Sequence, residues 1–407
     1  MNKKPNILFL MCDQHRADFC GFSGNKFVRT PTLDNLAKDA IVFNNAYTPS
    51  PICVPARQCM MSGQLPKTCN CEGWIDLKPN YRTFAKEFSR YAYRTVCSGK
   101  LHHIGTDQMQ GWVKRIAPDA EISDEYIENK IEEEFKKYQP RPGTGKWSNQ
   151  REIDEARPAF GPYQAFDENV VSEAIYYLDR HFSDPLYSRP QSHCPLLFKL
   201  SFIQPHYPFF TSEEKFERYY KSVPIFVEKP CEHPILSLSQ QNKPVNVSEE
   251  AIRRATAAYY GMIETVDEYF GKVIEKIKSL GENIDDWIII YTSDHGEMLG
   301  QHGIWEKTRF YDASVKVPLF IRCPVRFKPR VVNQNVNLCD IFATLCDLAE
   351  IPIPENLDSR SLVPLMKGNS ENWTNETISQ LANCHLMIKW DSLKYQYYGE
   401  NIPEVLF

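Results

Sequence analysis

Residues 7–14, ILFLMCDQ, decide the fold class of this chain. The stretch begins with an unbroken apolar run, Ile7–Cys12, which is typical of a strand buried on both faces of a parallel sheet. Two polar side chains, Asp13 and Gln14, follow directly. Ligands of open α/β sheets collect at the carboxyl ends of the strands. The stretch therefore predicts an α/β protein with Asp13 and Gln14 at a ligand site, although a simple polar turn would have the same composition.

The rest of the chain alternates short apolar runs with segments that have helical periodicity. Buried strands are predicted at residues 41–43, 95–97, 196–203, 287–292 and 317–322. Helices with an apolar stripe are predicted at residues 32–40, 81–93, 166–182, 251–280 and 338–350. Such alternation indicates an α/β architecture, so we expect a large mixed, mostly parallel sheet flanked by helices.

The C-terminal tail has a different pattern. Residues 386–390, 394–398 and 404–407 predict short antiparallel strands. We therefore expect a catalytic α/β domain at residues 1–365 and a small α+β subdomain at residues 366–407. Because the chain stops on an apolar strand, we expect either a truncated sequence or a last strand that docks tightly.

Composition limits the class of protein. The chain has 407 residues with a net charge of -5, 24% charged and 13% aromatic residues, which is typical of a globular protein. The slightly acidic balance predicts no nucleic-acid partner and no membrane partner. Its N-terminal apolar run is shorter than a signal-peptide core of about 7–15 residues, so we expect a cytoplasmic location. The thirteen cysteines are an odd number without regular spacing, which predicts reduced thiols. The oligomeric state is left open.

The segment Cys53-Val54-Pro55-Ala56-Arg57 predicts a helix N-terminus. Pro55 suits the first turn of a helix, because its missing N–H would be unpaired there. Cys53 then lies where the exposed N–H groups and the helix dipole favour a polarised or anionic group. Arg57 lies one turn further on and can approach Cys53. The alternative is a buried structural cysteine.

Further polar side chains follow the ends of other predicted strands. Lys100 and His102 are two residues apart after the strand at 95–97, so in an extended segment they could point the same way. His206 lies between two prolines after the strand at 196–203. Asp294 and His295 follow the strand at 287–292, with Lys307 downstream. Each of these motifs alone would also suit a structural turn.

Taken together and in this order, the motifs resemble the type I, formylglycine-dependent sulfatases of the alkaline-phosphatase-like superfamily. The Asp13-Gln14 pair is similar to that of choline-sulfatase-like members. The resemblance implies that a maturation enzyme oxidises Cys53 to formylglycine, whose hydrate attacks a sulfate ester of a small molecule or saccharide. It also implies a divalent metal, Ca²⁺ by default with Mn²⁺ or Mg²⁺ as alternatives. The implied metal ligands are Asp13, Gln14, residue 53, Asp294 and His295.

The resemblance also implies roles for the remaining polar residues. Arg57 and Lys100 would hold the nucleophile, and His102 would help to regenerate the aldehyde. His206 and Lys307 would stabilise and protonate the leaving group.

Several alternatives stay open at this point. A phosphonate monoester or phosphodiester hydrolase would share all of these residues. A metal-binding protein without activity, with unmodified Cys53, and a thiol hydrolase using Cys53 with His102 are the others. The natural substrate is also open, because specificity is expected in the insertions near residues 106–160 and 224–248.

Overall fold

The predicted buried strand Ile7–Cys12 lies inside the large sheet of the protein. The computed structural model describes residues 4–119, 153–183, 194–228, 247–382, 385–400 and 402–407. Most of the predicted insertion at 106–160 and of the segment at 224–248 lies outside these residues. The strands are numbered in chain order: β1 (Ile7–Cys12), β2 (Ala40–Tyr47), β3 (Arg94–Gly99), β4 (Lys114–Arg115), β5 (Arg157–Pro158), β6 (Leu196–Ser201), β7 (Phe210–Thr211), β8 (Ile288–Ser293), β9 (Leu319–Arg322), β10 (Arg330–Asn337), β11 (Glu376–Leu381), β12 (His385–Trp390), β13 (Leu393–Tyr397) and β14 (Val405–Leu406).

The described residues form an eight-stranded sheet in the order β10-β2-β9-β8-β1-β6-β3-β4. Neighbouring strands are parallel throughout, except that β9 runs antiparallel to both β2 and β8. The predicted mixed, mostly parallel sheet is therefore confirmed. Strands β5 and β7 form a separate parallel pair.

Helices cover both faces of this sheet. They are α1 (Pro31–Ala37), α2 (Cys53–Ser62), α3 (Pro66–Cys69), α4 (Phe84–Arg90), α5 (Pro162–Ser183), α6 (Glu213–Tyr220), α7 (Glu249–Ser279), α8 (Asp312–Val315), α9 (Asp340–Leu348) and α10 (Val363–Met366). Alternate side chains of β1 point to opposite faces. Phe9 packs in a core with residues of α2, α4 and α9, whereas Leu10 packs in a second core with residues of α1, α5 and α7. The sheet is thus buried on both sides, as its apolar strands require.

One helix boundary and one strand differ from the predictions for identifiable reasons. Helix α4 begins at Phe84 and not at Tyr81, because the Thr83 hydroxyl caps it by accepting from Lys86 N. Strand β10 was not predicted, since its second half, NQNVN, is rich in amides. It pairs with β2 at the edge of the sheet, where the buried Asn335 and Asn337 donate to Asn375 O, Asp391 O and Ile378 O of the C-terminal region.

The three predicted C-terminal strands are confirmed as β12, β13 and β14 of an antiparallel sheet, which has β11 as a fourth strand that was not predicted. Met387 and Tyr398 of this region pack against Tyr47, Phe310 and Val315 of the preceding fold. Within residues 367–382, 385–400 and 402–407 there are strands but no helix. The domain boundary at residue 365 and the truncation stay predictions. Among the helices that the structure describes, none is long and apolar enough to cross a membrane.

Candidate active site

Strand register brings the predicted polar residues to one edge of the sheet. Cys12 of β1 lies beside Ser293 of β8, so Asp13 and Asp294 leave neighbouring strands at the same level. On the other side, β1 pairs with β6, and β6 pairs with β3 up to the Gly99–Ser201 register. Lys100 N then donates to Ser201 O at 2.9 Å. The carboxyl ends of four strands therefore surround one site.

Cys53 is the first residue of α2, as its proline-containing sequence predicted. Ile52 before it has extended backbone angles, and Ala56 N donates to Ile52 O at 3.1 Å. The preceding loop is tied to the Lys307 segment, because Thr308 N donates to Pro51 O at 2.9 Å. The Cys53 side chain is buried, and it lies near the positive end of the α2 dipole.

Four buried side chains form a group that can hold a metal ion. Asp13, Cys53, Asp294 and His295 each offer one ligand atom, and these atoms all lie within 4.8 Å of one another. His295 Nε2 is 3.3 Å from Cys53 Sγ and 3.7 Å from Asp13 Oδ1. His295 Nδ1 is 3.0 Å from Gly296 O. A proton on Nδ1 satisfies that carbonyl and leaves the Nε2 lone pair for a metal.

One carboxylate oxygen in this group supports a bound cation directly. Asp13 Oδ1 is buried and has no hydrogen-bond partner among the described residues. A buried anionic oxygen without a partner is costly, and a cation at this point would satisfy it. The donor set of carboxylates, an imidazole and residue 53 suits a divalent ion.

Arg57 contacts the Oδ2 atoms of both aspartates, and Lys100 contacts Oδ2 of Asp13. Arg57 Nε donates to Asp294 Oδ2 at 2.7 Å, and its Nη2 lies 3.3 Å from Asp13 Oδ2. Lys100 Nζ lies 2.7 Å from Asp13 Oδ2. Burial raises the pKa of Asp13, but Lys100, His206 and Arg57 outweigh it and hold that pKa well below the usual range. The contacts of Arg57 thus position the carboxylates, and the predicted contact of Arg57 with the nucleophile stays a prediction.

Lys307 contacts both Gln14 and His206. Its Nζ donates to Gln14 Oε1 at 2.5 Å and lies 2.8 Å from His206 Nε2. His206 Nδ1 is 2.7 Å from Tyr207 O, so Nδ1 carries a proton and Nε2 accepts from Lys307. Burial and the neighbouring Lys307 charge lower the pKa of His206. Lys307 is therefore the donor within this pair.

Gln14 is held in one orientation by its neighbours. Its backbone has a left-handed φ of 65°, and its N–H donates to Asp294 Oδ1 at 3.0 Å. Its Nε2 donates to Glu297 Oε2. The amide oxygen consequently faces Lys307. Direct binding of Gln14 to a metal stays a prediction.

His102 is buried beneath a half-exposed tryptophan. Its backbone N–H donates to Asp119 Oδ1 at 3.0 Å, which fixes the turn after Lys100. The ring meets Trp74 edge-on, with the ring centroids 5.1 Å apart and Trp74 48% exposed. His102 and Lys100 both lie in the loop after β3, so both are at the same edge of the sheet.

Three buried residues that support the site were not predicted. Ser201 Oγ accepts from Arg57 Nη1 at 3.0 Å. Glu297 Oε1 accepts from Leu299 N and Glu306 N, so it shapes the loop that leads to Lys307. Asp167 of α5 accepts from the backbone N–H groups of Ile203 and Gln204, just before His206. The sequence offered a signal for two of these residues, because Asp167 and Glu297 are acids in buried stretches. Asp167 in addition lies on the apolar stripe of its helix.

The electrostatics around Cys53 favour a negative group. Burial and Asp13 raise the pKa of the Cys53 thiol, but Lys307, Lys100 and His295 outweigh them. The pKa of Cys53 consequently lies well below its ordinary value. A site that stabilises an anion at this position also suits an anionic substrate group.

Comparison with known proteins identifies the family. A family model described as Sulfatase matches residues 5–351. The chain belongs to the sulfatase family. It is 32% identical over 431 residues to the choline-sulfatase of Rhizobium meliloti, which covers 99% of this chain and 80% of that protein. It is 28% identical over 443 residues to an arylsulfatase of Clostridium perfringens, covering 99% of this chain and 88% of that protein.

The fold also matches solved structures. The phosphonate monoester hydrolase of Agrobacterium radiobacter has a TM-score of 0.79 and 22% identity, covering 99% of this chain and 89% of that one. At this identity the likeness concerns the fold alone. The family match and the sulfatase relatives make this sulfatase-family chain a sulfuric ester hydrolase, as its motifs predicted.

Proposed function

We propose that this chain hydrolyses an organic sulfate ester to an alcohol or phenol and inorganic sulfate, using a formylglycine made from Cys53 and a divalent metal. The observation that carries the proposal is the convergence of Asp13, Cys53, Asp294 and His295 within 4.8 Å at the N-terminus of α2. A maturation enzyme would supply the oxidised residue 53, because the chain itself holds no oxidant.

The metal would be held by Asp13, Asp294 and His295, with residue 53 and Gln14 as further ligands. When bound, a divalent cation polarises sulfate oxygens and stabilises the charge that develops on them. Arg57 and Lys100 keep the two carboxylates oriented, because Arg57 pairs with Oδ2 of Asp13 and of Asp294 and Lys100 pairs with Oδ2 of Asp13. These contacts preorganise the ligand set before a substrate arrives.

Lys307 would donate to the substrate at the leaving-group side. Its ammonium has three N–H bonds, of which one points to Gln14 Oε1 and one to His206 Nε2. The third can donate to an ester or sulfate oxygen, and such charge-assisted bonds are strong in a buried site. His206 accepts from Lys307 and holds the ammonium in place, so Lys307 can pass a proton from its third N–H to the departing oxygen.

His102 and residue 53 would complete the cycle. The hydrate of a formylglycine offers one hydroxyl to attack sulfur and a second whose deprotonation expels sulfate. His102, buried beside Trp74, is the proposed base for that second hydroxyl. Trp74 is half-exposed next to it and offers an apolar surface to the alcohol part of a substrate.

The first test of the proposal is a substrate panel. We expect release of sulfate from an aryl sulfate, choline sulfate or a sulfated sugar, measured as kcat/KM for each. The best sulfate ester should exceed an aryl phosphonate monoester by at least about tenfold, or about 1.4 kcal/mol in activation free energy. A preference for the phosphonate would contradict the proposal and support the phosphonate hydrolase alternative. Choline sulfate and aryl sulfate are included because the two relatives bear those names.

The second test concerns Lys307. Lys307→Ala should lower kcat by about 10²–10³, because it removes one preorganised charged donor. Thermal unfolding and metal content should change little, since Lys307 is not a member of the metal group. Lys316→Ala is the matched control, because Lys316 Nζ contacts Asn45 Oδ1 outside the site. A Lys307→Ala protein that unfolds but keeps its activity per folded molecule would assign Lys307 a structural role.

The expected cytoplasmic location and the choline-sulfatase-like subgroup stay predictions. Localisation of the tagged full chain tests the first, and the relative kcat/KM for choline sulfate tests the second.

A further inference from the structure

Three thiols lie together at the C-terminal end of α2, away from the candidate active site. Cys59 belongs to α2, Cys69 ends α3, and Cys71 follows two residues later. Cys59 Sγ and Cys69 Sγ are 3.7 Å apart. All three cysteines are buried, but the residues between them, Lys67–Asn70, are exposed apart from Cys69 itself. Cys69 therefore has exposed sequence neighbours on both sides, Thr68 and Asn70.

The arrangement does not suit a metal. In the part of the chain that the structure describes, the metal-type group is the one at Asp13, and the thiols do not form another. A disulfide needs an S–S distance of about 2.05 Å, so the Cys59 and Cys69 sulfurs must approach by less than about 2 Å. Side-chain rotation can supply much of such a shift. The pair Cys59–Cys69 is thus placed for a covalent link and not for shared coordination.

The three thiols are also chemically unequal. Hydrogen bonds from Cys59 and Cys71 lower the pKa of Cys69. Burial raises the pKa of Cys59, whose sulfur also faces Cys69. The thiolate is the reactive form of cysteine, so Cys69 is the nucleophile of the cluster and Cys59 is its resolving partner.

We propose that Cys59 and Cys69 form a reversible disulfide when the protein meets hydrogen peroxide or a similarly small peroxide. Cys69 first loses its proton to solvent, and the thiolate then attacks one peroxide oxygen. The O–O bond breaks, and the hydroxide released takes up a proton from solvent as water. Cys59 sulfur then attacks the resulting sulfenic acid at Cys69. The S–O bond breaks and the hydroxyl leaves with the Cys59 proton as a second water. The two sulfurs are oxidised by two electrons in total, and the peroxide is reduced.

The link would close the turn between α2 and α3. Helix α2 begins at Cys53, which is the proposed nucleophile. A disulfide near the other end of α2 would therefore restrain the helix that carries this residue. The disulfide is expected to raise the unfolding temperature, because it constrains the unfolded chain. This inference does not depend on the proposed function, since Cys59 and Cys69 contact no residue of the metal group.

Tryptic mapping of the full chain tests the proposal. Cleavage after Arg57, Lys67 and Arg82 places Cys59 in peptide 58–67 and both Cys69 and Cys71 in peptide 68–82, because trypsin does not cleave between Lys78 and Pro79. Cys53 falls in a separate peptide, 39–57, so its own oxidation is scored independently. After treatment with hydrogen peroxide and alkylation of the remaining thiols, we expect peptides 58–67 and 68–82 joined by a bond that dithiothreitol cleaves.

Two variants identify the partner. Cys71→Ser should still form the cross-link, and Cys69→Ser should lose it together with the peroxide-dependent rise in unfolding temperature. Cys339→Ser is the matched control, because Cys339 lies in the same cluster but its Sγ contacts Gln64 O at 3.3 Å. Absence of the joined peptides in peroxide-treated wild-type protein would overturn the proposal. So would a cross-link that persists in Cys69→Ser.

Discussion

Cys53→Ala and Cys53→Ser are expected to lose sulfate ester hydrolysis by about 10⁴-fold or more, as loss of a nucleophile does in other hydrolases. A thiol suits this chemistry poorly, because its attack on sulfur would leave a thiosulfate-type adduct with no easy release. A hydrated aldehyde releases sulfate by re-forming its carbonyl. Serine in place of Cys53 has one hydroxyl and cannot do so. Neither substitution removes much buried volume, so thermal unfolding should be close to wild type.

The decisive measurement for Cys53 pairs activity with mass spectrometry of peptide 39–57. Preparations should show activity in proportion to the fraction of formylglycine at residue 53. Cys59→Ser is a suitable control under reducing conditions, because Cys59 lies in the same helix without contacting the metal group. A fully active preparation with only unmodified cysteine at residue 53 would remove the formylglycine mechanism and support the thiol hydrolase alternative.

The strand-end residues could be predicted from the sequence, whereas their partners could not. Asp13 and Asp294 each follow an unbroken apolar run, and adjacent parallel strands bring such positions together. That Arg57 pairs with both aspartates is fixed by the three-dimensional approach of α2 to the sheet edge. No periodicity in the sequence encodes that approach. The motif therefore indicated Arg57 as a candidate site residue without its carboxylate partners, and its hold on the nucleophile stays a prediction.

The unpredicted strand β10 shows the same limit at the level of fold. Val331 and Val332 at its start have strand propensity, but Asn333–Asn337 do not form an apolar run. Its pairing with β2 supplies the backbone hydrogen bonds that the composition does not predict. Buried acids follow a similar logic, because Asp167 and Glu297 gain their roles from backbone N–H groups of distant loops. Such contacts depend on tertiary packing and not on local pattern.

Charge balance explains why sulfate and phosphonate esters are hard to separate by sequence. Three carboxylates, Asp13, Asp294 and Glu297, lie with three cationic side chains, Arg57, Lys100 and Lys307. Addition of a divalent cation makes such a pocket positive and suited to an anionic ester. Sulfate monoesters and phosphonate monoesters carry the same negative charge at neutral pH. They differ at the central atom, because a phosphonate carries a carbon substituent in place of one terminal oxygen of the sulfate. Selectivity between them can therefore come from contacts at that position and with the alcohol part, and from the reactivity of residue 53.

Asp294→Asn is expected to lose both bound metal and activity, with kcat/KM reduced by about 10³-fold or more. The amide keeps the volume of Asp294 and a side-chain oxygen that can accept from Gln14 N and His295 N, so the loop should stay folded. It removes one negative charge from the ligand group and the ion pair with Arg57. Asp294→Ala removes the same ion pair and also the oxygen that accepts from Gln14 N and His295 N, so it leaves two buried N–H groups unsatisfied and should lose more stability. The asparagine variant therefore separates metal binding from folding.

Elemental analysis of purified wild-type and Asp294→Asn protein is the direct readout for the metal. Wild-type protein should carry about one divalent ion per chain. The same measurement identifies which of the metals expected from the sequence is bound. The nitrogen donor of His295 suits Mn²⁺ better than Ca²⁺ or Mg²⁺, because these two ions prefer oxygen ligands. Chelation should reduce wild-type activity, and return of the identified ion should restore it. Because Lys307 lies outside the metal group, Lys307→Ala should keep the ion while losing turnover. An Asp294→Asn protein with a full complement of metal and wild-type kcat/KM would show that Asp294 is not a ligand, and the group at Asp13 would then need another explanation.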